Sequence, residues 1–387
     1  MKIFYTACLL AMGLTICPAA FADVETTTLS LSDAQKLFYE FNKELLAAKR
    51  AVQAAEADKI TAAQKPNPLV SLGVSNLNLN RSEGNKNSLK SNSNSIQNQT
   101  LDSTVQVSQL YERGNKRELR IAAAHQALTA SKFDLKDTER QLIRDLNNAY
   151  YDLLLAQEAE NVQITNLNLY ERTLKASELR LKAGDVPSSD VARIRVDLLK
   201  SKNDLRQAQA NREKAQAALA YMLGQEANSS KFLAADNWPN LEHVNTQDFF
   251  DKLTSRPDLL AADARTRQAE ENQKLANSLK TRDIDIALQY QRFPGQTPGV
   301  GENTIGASVT FPLFTNYEYQ GEIARSEVDY YTAVDSKEQI KAAAISEIRN
   351  AASDLQSSIE KVDRYDQQIL KEAKQAADAA EFAYKHG

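Results

Sequence analysis

A run from Lys116 to Ala183, 68 residues without a glycine or proline, constrains this chain more than any other stretch of it. As a single helix it spans roughly 100 Å, several times the length of an ordinary globular helix. The run ends at Gly184, in the turn Leu181-Lys-Ala-Gly-Asp-Val-Pro187. Apolar and small residues recur along it at Leu142, Leu146, Ala149, Leu153, Ala156, Leu167, Tyr170, Leu174, Ser177 and Leu181, with polar slots at Glu160 and Gln163. Sustained 3-4 spacing makes a coiled-coil seam rather than a helix lying on a globular core. After the turn the rhythm resumes at Val191, Ile194, Leu198, Ser201, Leu205, Ala208, Arg212, Ala215, Leu219 and Met222, so an antiparallel helical hairpin is expected with Gly184 to Ser189 at its tip.

Residues 1–22 read as a secretory signal: Lys2 is the charged start, Ile3 to Ile16 the apolar stretch and Ala20-Phe21-Ala22 the cleavage site. Both cysteines, Cys8 and Cys17, fall in that segment, which leaves a mature chain without a disulfide or thiol nucleophile. Cys17 as a lipid-attachment site is the minor alternative, because bulky Ile16 precedes it. Without Lys2 the chain carries 46 basic against 51 acidic side chains, a mild −5 with both signs interspersed. Nothing here forms a basic footprint for nucleic acid. No later apolar run approaches the 18 or so residues of a membrane helix, so a membrane crossing requires strands.

A helix is predicted from Leu31 to Gln64, strands at Leu69 to Leu79 and Leu101 to Leu110, and an Asn/Ser-rich loop from Asn80 to Thr100. The pattern then recurs. Lys43-Glu-Leu-Leu-Ala-Ala-Lys49 returns as Pro257-Asp-Leu-Leu-Ala-Ala-Asp263, and strands return at Asp283 to Phe293 and Thr304 to Phe311. The helix start Arg120-Ile-Ala-Ala123 returns as Glu322-Ile-Ala-Arg325, and one helix is predicted from Glu322 to His386 with a seam from Ile345 to Ala383. The division is therefore 1–22 signal, 23–223 first repeat, 224–245 connector and 246–387 second repeat.

The later strands alternate cleanly: Ile284, Ile286, Leu288 and Tyr290 oppose Asp285, Gln289 and Gln291, and Ile305, Ala307, Val309 and Phe311 oppose Thr304, Gly306, Ser308 and Thr310. Strands of about ten residues, apolar on one side only, suit a membrane barrel with a wet lumen; a half-buried sheet of a soluble domain is the bland alternative. Four strands cannot close a barrel whose smallest bacterial examples have about eight, so several chains are needed, and three copies supply twelve. The fold class is thus α+β: coiled-coil helices, two repeats, and a β-barrel shared among several chains, trimeric where three copies close it, continued by an α-helical barrel.

His125, His243 and His386 are too scattered for a ligand set, and Asp283 with Asp285 reads first as a solvated polar face and second as a cation-attracting ring. No nucleophile-base pair, phosphate loop or metal spacing is present, and Arg113-Gly-Asn-Lys-Arg117 lacks the phosphate-loop frame. Neither catalysis nor a cofactor is expected. At the tip, Asp185 and Asp190 have a bland reading as helix-terminal residues beside a capping Ser188 or Ser189.

Leu29-Ser-Leu-Ser-Asp-Ala34, Lys65-Pro-Asn-Pro-Leu69, Val107-Ser-Gln-Leu-Tyr-Glu-Arg-Gly-Asn-Lys-Arg117, Leu181-Lys-Ala-Gly184, Arg256-Pro-Asp-Leu259, Pro312-Leu-Phe314 and Tyr319-Gln-Gly-Glu-Ile323 together resemble the TolC-type outer-membrane efflux proteins. The Glu-Arg-Gly-Asn-Lys-Arg and Tyr-Gln-Gly-Glu-Ile stretches resemble the CzcC-like heavy-metal branch. The resemblance implies a homotrimer in the outer membrane, contacting its lipids, with the helical barrel in the periplasm. It also implies a periplasmic adaptor and an inner-membrane RND pump as partners. The docking and gating tip carries over as Gly184, Asp185, Val186, Ser189, Asp190 and Ala192. The expected activity is passive exit of divalent heavy-metal cations. A duct for drugs or other small organic molecules is the first alternative, and a soluble periplasmic coiled-coil protein the second. By the repeat, Gly387 corresponds to Gly184, so a longer parent protein with a further inner helix is expected.

Overall fold

The computed structural model describes residues 27–75, 102–239, 247–293 and 302–386. The signal segment with Cys8 and Cys17, the loop from Asn80 to Thr100, His243 and Gly387 lie outside the described residues. The order is β1 (Thr27–Leu29), α1 (Leu31–Phe41), α2 (Lys43–Ala62), β2 (Leu69–Ser75), β3 (Asp102–Tyr111), α3 (Lys116–Ala183), α4 (Ser188–Met222), β4 (Phe232–Ala234), α5 (Gln247–Asp251), α6 (Pro257–Ser278), β5 (Ile284–Arg292), β6 (Asn303–Thr310), α7 (Gln320–Arg364) and α8 (Leu370–His386). The order helix, strand, strand, long helix occurs twice in that series. The chain divides into two compact units: residues up to Asn42 with Ile143–Trp238, and Lys43–Leu142 with Pro239–Gly387.

In the first unit α3 and α4 pack along the anticipated seam. Leu146, Leu153, Val191, Leu198, Ala208 and Leu219 are buried, and the seam there opens to solvent only at Tyr170 and Leu181 near the tip. A pair of three-residue strands too short to show in the sequence lies at the other end. β1 pairs in parallel with β4, and helical side chains complete the strands' hydrogen bonding. Gln157 donates to the Ala234 carbonyl at 3.0 Å and accepts from its N–H at 2.8 Å, while Gln216 donates to the Phe232 carbonyl at 2.8 Å. The buried Tyr150 hydroxyl donates to the Leu29 carbonyl at 2.9 Å and accepts from the N–H groups of Ala235 and Asp236. Burial pushes its pKa up, which keeps that donor proton in place.

The helix predicted over Leu31 to Gln64 is interrupted. Asn42 takes an extended ψ of 122°, and its buried side chain donates to the Met222 carbonyl at 2.9 Å, a tertiary bond that outweighs one more residue of helix. The helix predicted from Glu322 to His386 also departs from expectation: a π-turn over Tyr365–Ile369 separates α7 from α8. Residues 360–383 are exposed throughout, Val362, Ile369 and Phe382 among them.

In the second unit α6 packs antiparallel to α7. Leu253, Leu259 and Ala344 form its buried centre, with Ile340, Ile345 and Ile348 against them. Asp263 meets Lys337 at 2.7 Å, and that ammonium holds its carboxyl below the ordinary range. Arg256 bridges Asp258 at 2.6 Å and Glu347 at 3.0 Å, and Arg265 reaches Asp134 of α3 at 2.6 Å.

Candidate functional site

Two features concentrate what this chain offers to its surroundings, one in each unit. In the second unit the four longer strands form one antiparallel sheet in the order β2-β3-β5-β6. Directly paired residues share a face, so the register lays apolar rows across the sheet: Leu72, Val105, Tyr290 and Ile305 in one, Val70, Val107, Leu288 and Ala307 in the next. The interleaved rows on the opposite face are polar or small: Ser71, Gln106, Gln289 and Gly306, then Gly73, Thr104, Gln291 and Thr304.

No described residue covers the apolar face. Leu72 is 77% exposed, Leu288 61% and Ile305 85%. Four strands at ~4.8 Å spacing and ~8 residues at ~3.4 Å give a face of ~500 Å². That is the size at which an exposed apolar patch on a soluble monomer already marks an interaction surface. Among the described residues the outer strands β2 and β6 each pair on one side only, which leaves two open rows of backbone donors and acceptors.

The turn from strand to helix below this sheet is held by charge. The buried Lys116 ammonium pairs with Asp283 at 2.8 Å and donates to the Thr281 carbonyl at 2.8 Å. Asp283 also accepts from the Arg113 N–H at 2.9 Å. Asp283, its side chain 28% exposed, is the anion that locks the turn. Glu112 and Arg120 form a second, bidentate pair, and Tyr317 donates to Glu322 in the corresponding turn before α7. The two stretches that carry the branch resemblance thus have structural work in these turns.

In the first unit the hairpin tip follows from local chemistry. Gly184 takes φ +84°, the Asp185 N–H bonds the Arg180 carbonyl at 2.9 Å and the Gly184 N–H bonds that of Leu181 at 3.1 Å, which is a Schellman end. Pro187 stands at the N-cap of α4 without a side-chain bond, so the capping expected of Ser188 or Ser189 is absent; proline's fixed φ starts the helix and the serines lie inside its first turn. Gly184, Asp185, Ser189, Asp190 and Ala192 are exposed and Val186 half-buried, so the six tip residues gather on one accessible turn. Behind them Arg195 pairs with Glu178 across the hairpin at 2.8 Å.

Deeper in the seam, Glu160 of α3 and Arg212 of α4 meet at 2.8 Å, with the Glu160 side chain only 9% exposed. Either residue alone looks like a lapse in the heptad. Their antiparallel register brings them together. Among the described residues there is no cluster of three His, Cys, Asp or Glu that can hold a metal ion, and no helix is long and apolar enough to cross a membrane.

The chain shares its fold of long helices and a small sheet with solved outer-membrane channels. The chain belongs to the outer membrane efflux protein family, whose sequence pattern matches residues 33–225 and 251–387. Members of this family are channel proteins rather than enzymes. Among curated relatives, the outer membrane efflux protein BepC of Brucella suis is 23% identical over 227 residues, 58% of this chain and 49% of that protein. The chain thus matches about half the length of that relative. The pyoverdine export outer membrane protein OpmQ of Pseudomonas putida is 22% identical over 355 residues, 89% of this chain and 74% of that one. Among solved structures, the outer membrane protein VceC of Vibrio cholerae superposes with a TM-score of 0.70 at 19% identity, covering 92% of this chain and 86% of the other.

Proposed function

We propose that this chain is the outer-membrane exit duct of a tripartite efflux system. It works as a homotrimer whose four-stranded sheets join edge to edge into a twelve-stranded barrel, with the long helices continuing the conduit into the periplasm. The observation that carries this reading is the sheet: an uncovered apolar face and two open edges in a family of efflux channels. A sheet in lipid must satisfy every backbone group, and closure through further copies does so. The same exposed face counts against a soluble coiled-coil role, since it would aggregate in water.

The tip residues Gly184, Asp185, Val186, Ser189, Asp190 and Ala192 dock a periplasmic adaptor that connects the duct to an inner-membrane RND pump. Their shared exposure on one turn supports this assignment. Asp190→Arg is expected to abolish export while leaving trimer in the outer membrane at its normal level; normal export in that variant removes Asp190 from the site.

For cargo we propose divalent heavy-metal cations, a reading supported by the stretches from Glu112 to Arg117 and from Tyr319 to Ile323. A second reading, small organic molecules, is favoured by the relative whose name is pyoverdine export protein. Cell-associated metal in a strain lacking the gene, after exposure to zinc, cobalt, cadmium, nickel, copper and silver, separates them. Accumulation of one or more metals, reversed by the gene, supports the metal reading. Unchanged metal with accumulation of a fluorescent dye overturns it and leaves an organic-molecule duct.

A further inference from the structure

We propose that the cleft at the foot of β2 and β3 binds the headgroup of an anionic phospholipid, an inference that rests on the membrane placement of the sheet. The cleft holds about 460 Å³ and is lined by Lys65, Pro66, Tyr111 and Arg117, with Glu112 and Glu118 also on its walls. Gln109 fixes its floor by donating to the Pro66 carbonyl at 2.8 Å.

The charges sort themselves by partner. Glu112 is committed to Arg120, and Glu118 lies 3.7 Å from one amino group of Arg117. The Arg117 Nε donates to the Ala63 carbonyl at 2.7 Å, which fixes the guanidinium at the cleft. Lys65 is exposed and has no hydrogen-bond or ion-pair partner among the described residues. Glu112 is answered by Arg120 and Glu118 by Arg117, so the unanswered charge of the cleft is the Lys65 ammonium, standing beside a guanidinium anchored through its Nε, and it is this ammonium that donates to a phosphate oxygen.

The apolar surroundings select a lipid rather than a soluble anion. Tyr111 pairs opposite Ile284 and, by the alternation of β3, stands on the same face as Val105 and Val107, so the cleft opens where the apolar face of the sheet ends. A phospholipid bound there lays its acyl chain along Val107 and Val70 and its phosphate against Lys65. Exposed Tyr111 supplies the amphipathic ring that sits at headgroup level.

The test is native mass spectrometry of the full chain, purified in mild detergent and given equimolar phosphatidylglycerol and phosphatidylethanolamine. The expected result is about a fivefold excess of phosphatidylglycerol adducts, the factor one basic side chain contributes at an anionic surface. Lys65→Glu brings that excess to parity, Lys65→Arg keeps it, and Lys202→Glu, at an exposed position of α4, leaves it unchanged. Equal adducts in the unaltered chain, or an excess untouched by Lys65→Glu, overturns the proposal. Loss of the excess on adding millimolar inorganic phosphate also overturns it, reassigning the cleft to a soluble anion. Carbonate washing of membranes separates the two readings. A chain that washes off overturns the duct itself, whereas one that stays without lipid preference overturns only the headgroup site.

Discussion

Replacing Leu288 with arginine asks directly what solvent the apolar face meets. Leu288 is the middle residue of β5, an inner strand of the sheet, and its paired neighbours on the same face are Val107 and Ala307. Nine residues at ~3.4 Å span ~30 Å, and a tilt of ~40° projects that to ~23 Å, close to the ~25 Å apolar band of a membrane barrel. In the proposed barrel Leu288 therefore lies near the bilayer midplane. An arginine there costs about 2–4 kcal/mol, roughly 30- to 900-fold in the folding equilibrium. If water met this face, the side chain, already 61% exposed, would tolerate the change to within about 0.5 kcal/mol. Urea unfolding of the protein refolded into phosphatidylcholine vesicles measures the difference, with Gln289→Arg on the polar face as the matched control. Gln289→Arg is expected to stay within about 0.5 kcal/mol of the parent. A Leu288→Arg protein as stable as that control refutes the assignment of lipid to this face.

Two further predictions concern the helical hairpin. Breaking the Glu160–Arg212 pair with Glu160→Leu or Arg212→Leu alone is expected to cost about 2–3 kcal/mol, below the fully buried value because Arg212 is one-third exposed. The double substitution should recover most of that loss, and equal unfolding midpoints for single and double variants would contradict it. Gly224→Ala should destabilise by more than about 2 kcal/mol, since φ is +65° and the new Cβ would stand 2.4 Å from the Phe41 carbonyl oxygen. Gly184→Ala meets nothing within 4 Å and should cost only the left-handed penalty of about 1–2 kcal/mol. Urea midpoints rank the two, and a reversed order refutes the packing around Gly224.

The long helix was legible because its signals are local. A heptad rhythm needs no partner to be seen, and the Gly184 and Pro187 break stops it where the structure does, at Ala183. The strand faces were equally legible, since a two-residue period reports sidedness without saying what lies opposite. Beyond that, tertiary structure decided. Asn42 ends α1 because the Met222 carbonyl, 180 positions away, offers its side chain a buried bond. β1 and β4 are three residues each and exist because Tyr150, Gln157 and Gln216 complete their backbone bonding. Asp283 shares a face with Asp285 on paper, yet Lys116 claims it once the chain is folded. Glu160 and Arg212 read separately as polar intrusions into an apolar seam, and only the antiparallel register makes them one ion pair. Periodicity is written in the order of residues along the chain, so it survives in sequence alone. Which polar group answers which is a matter of distance in space, and that exists only after folding.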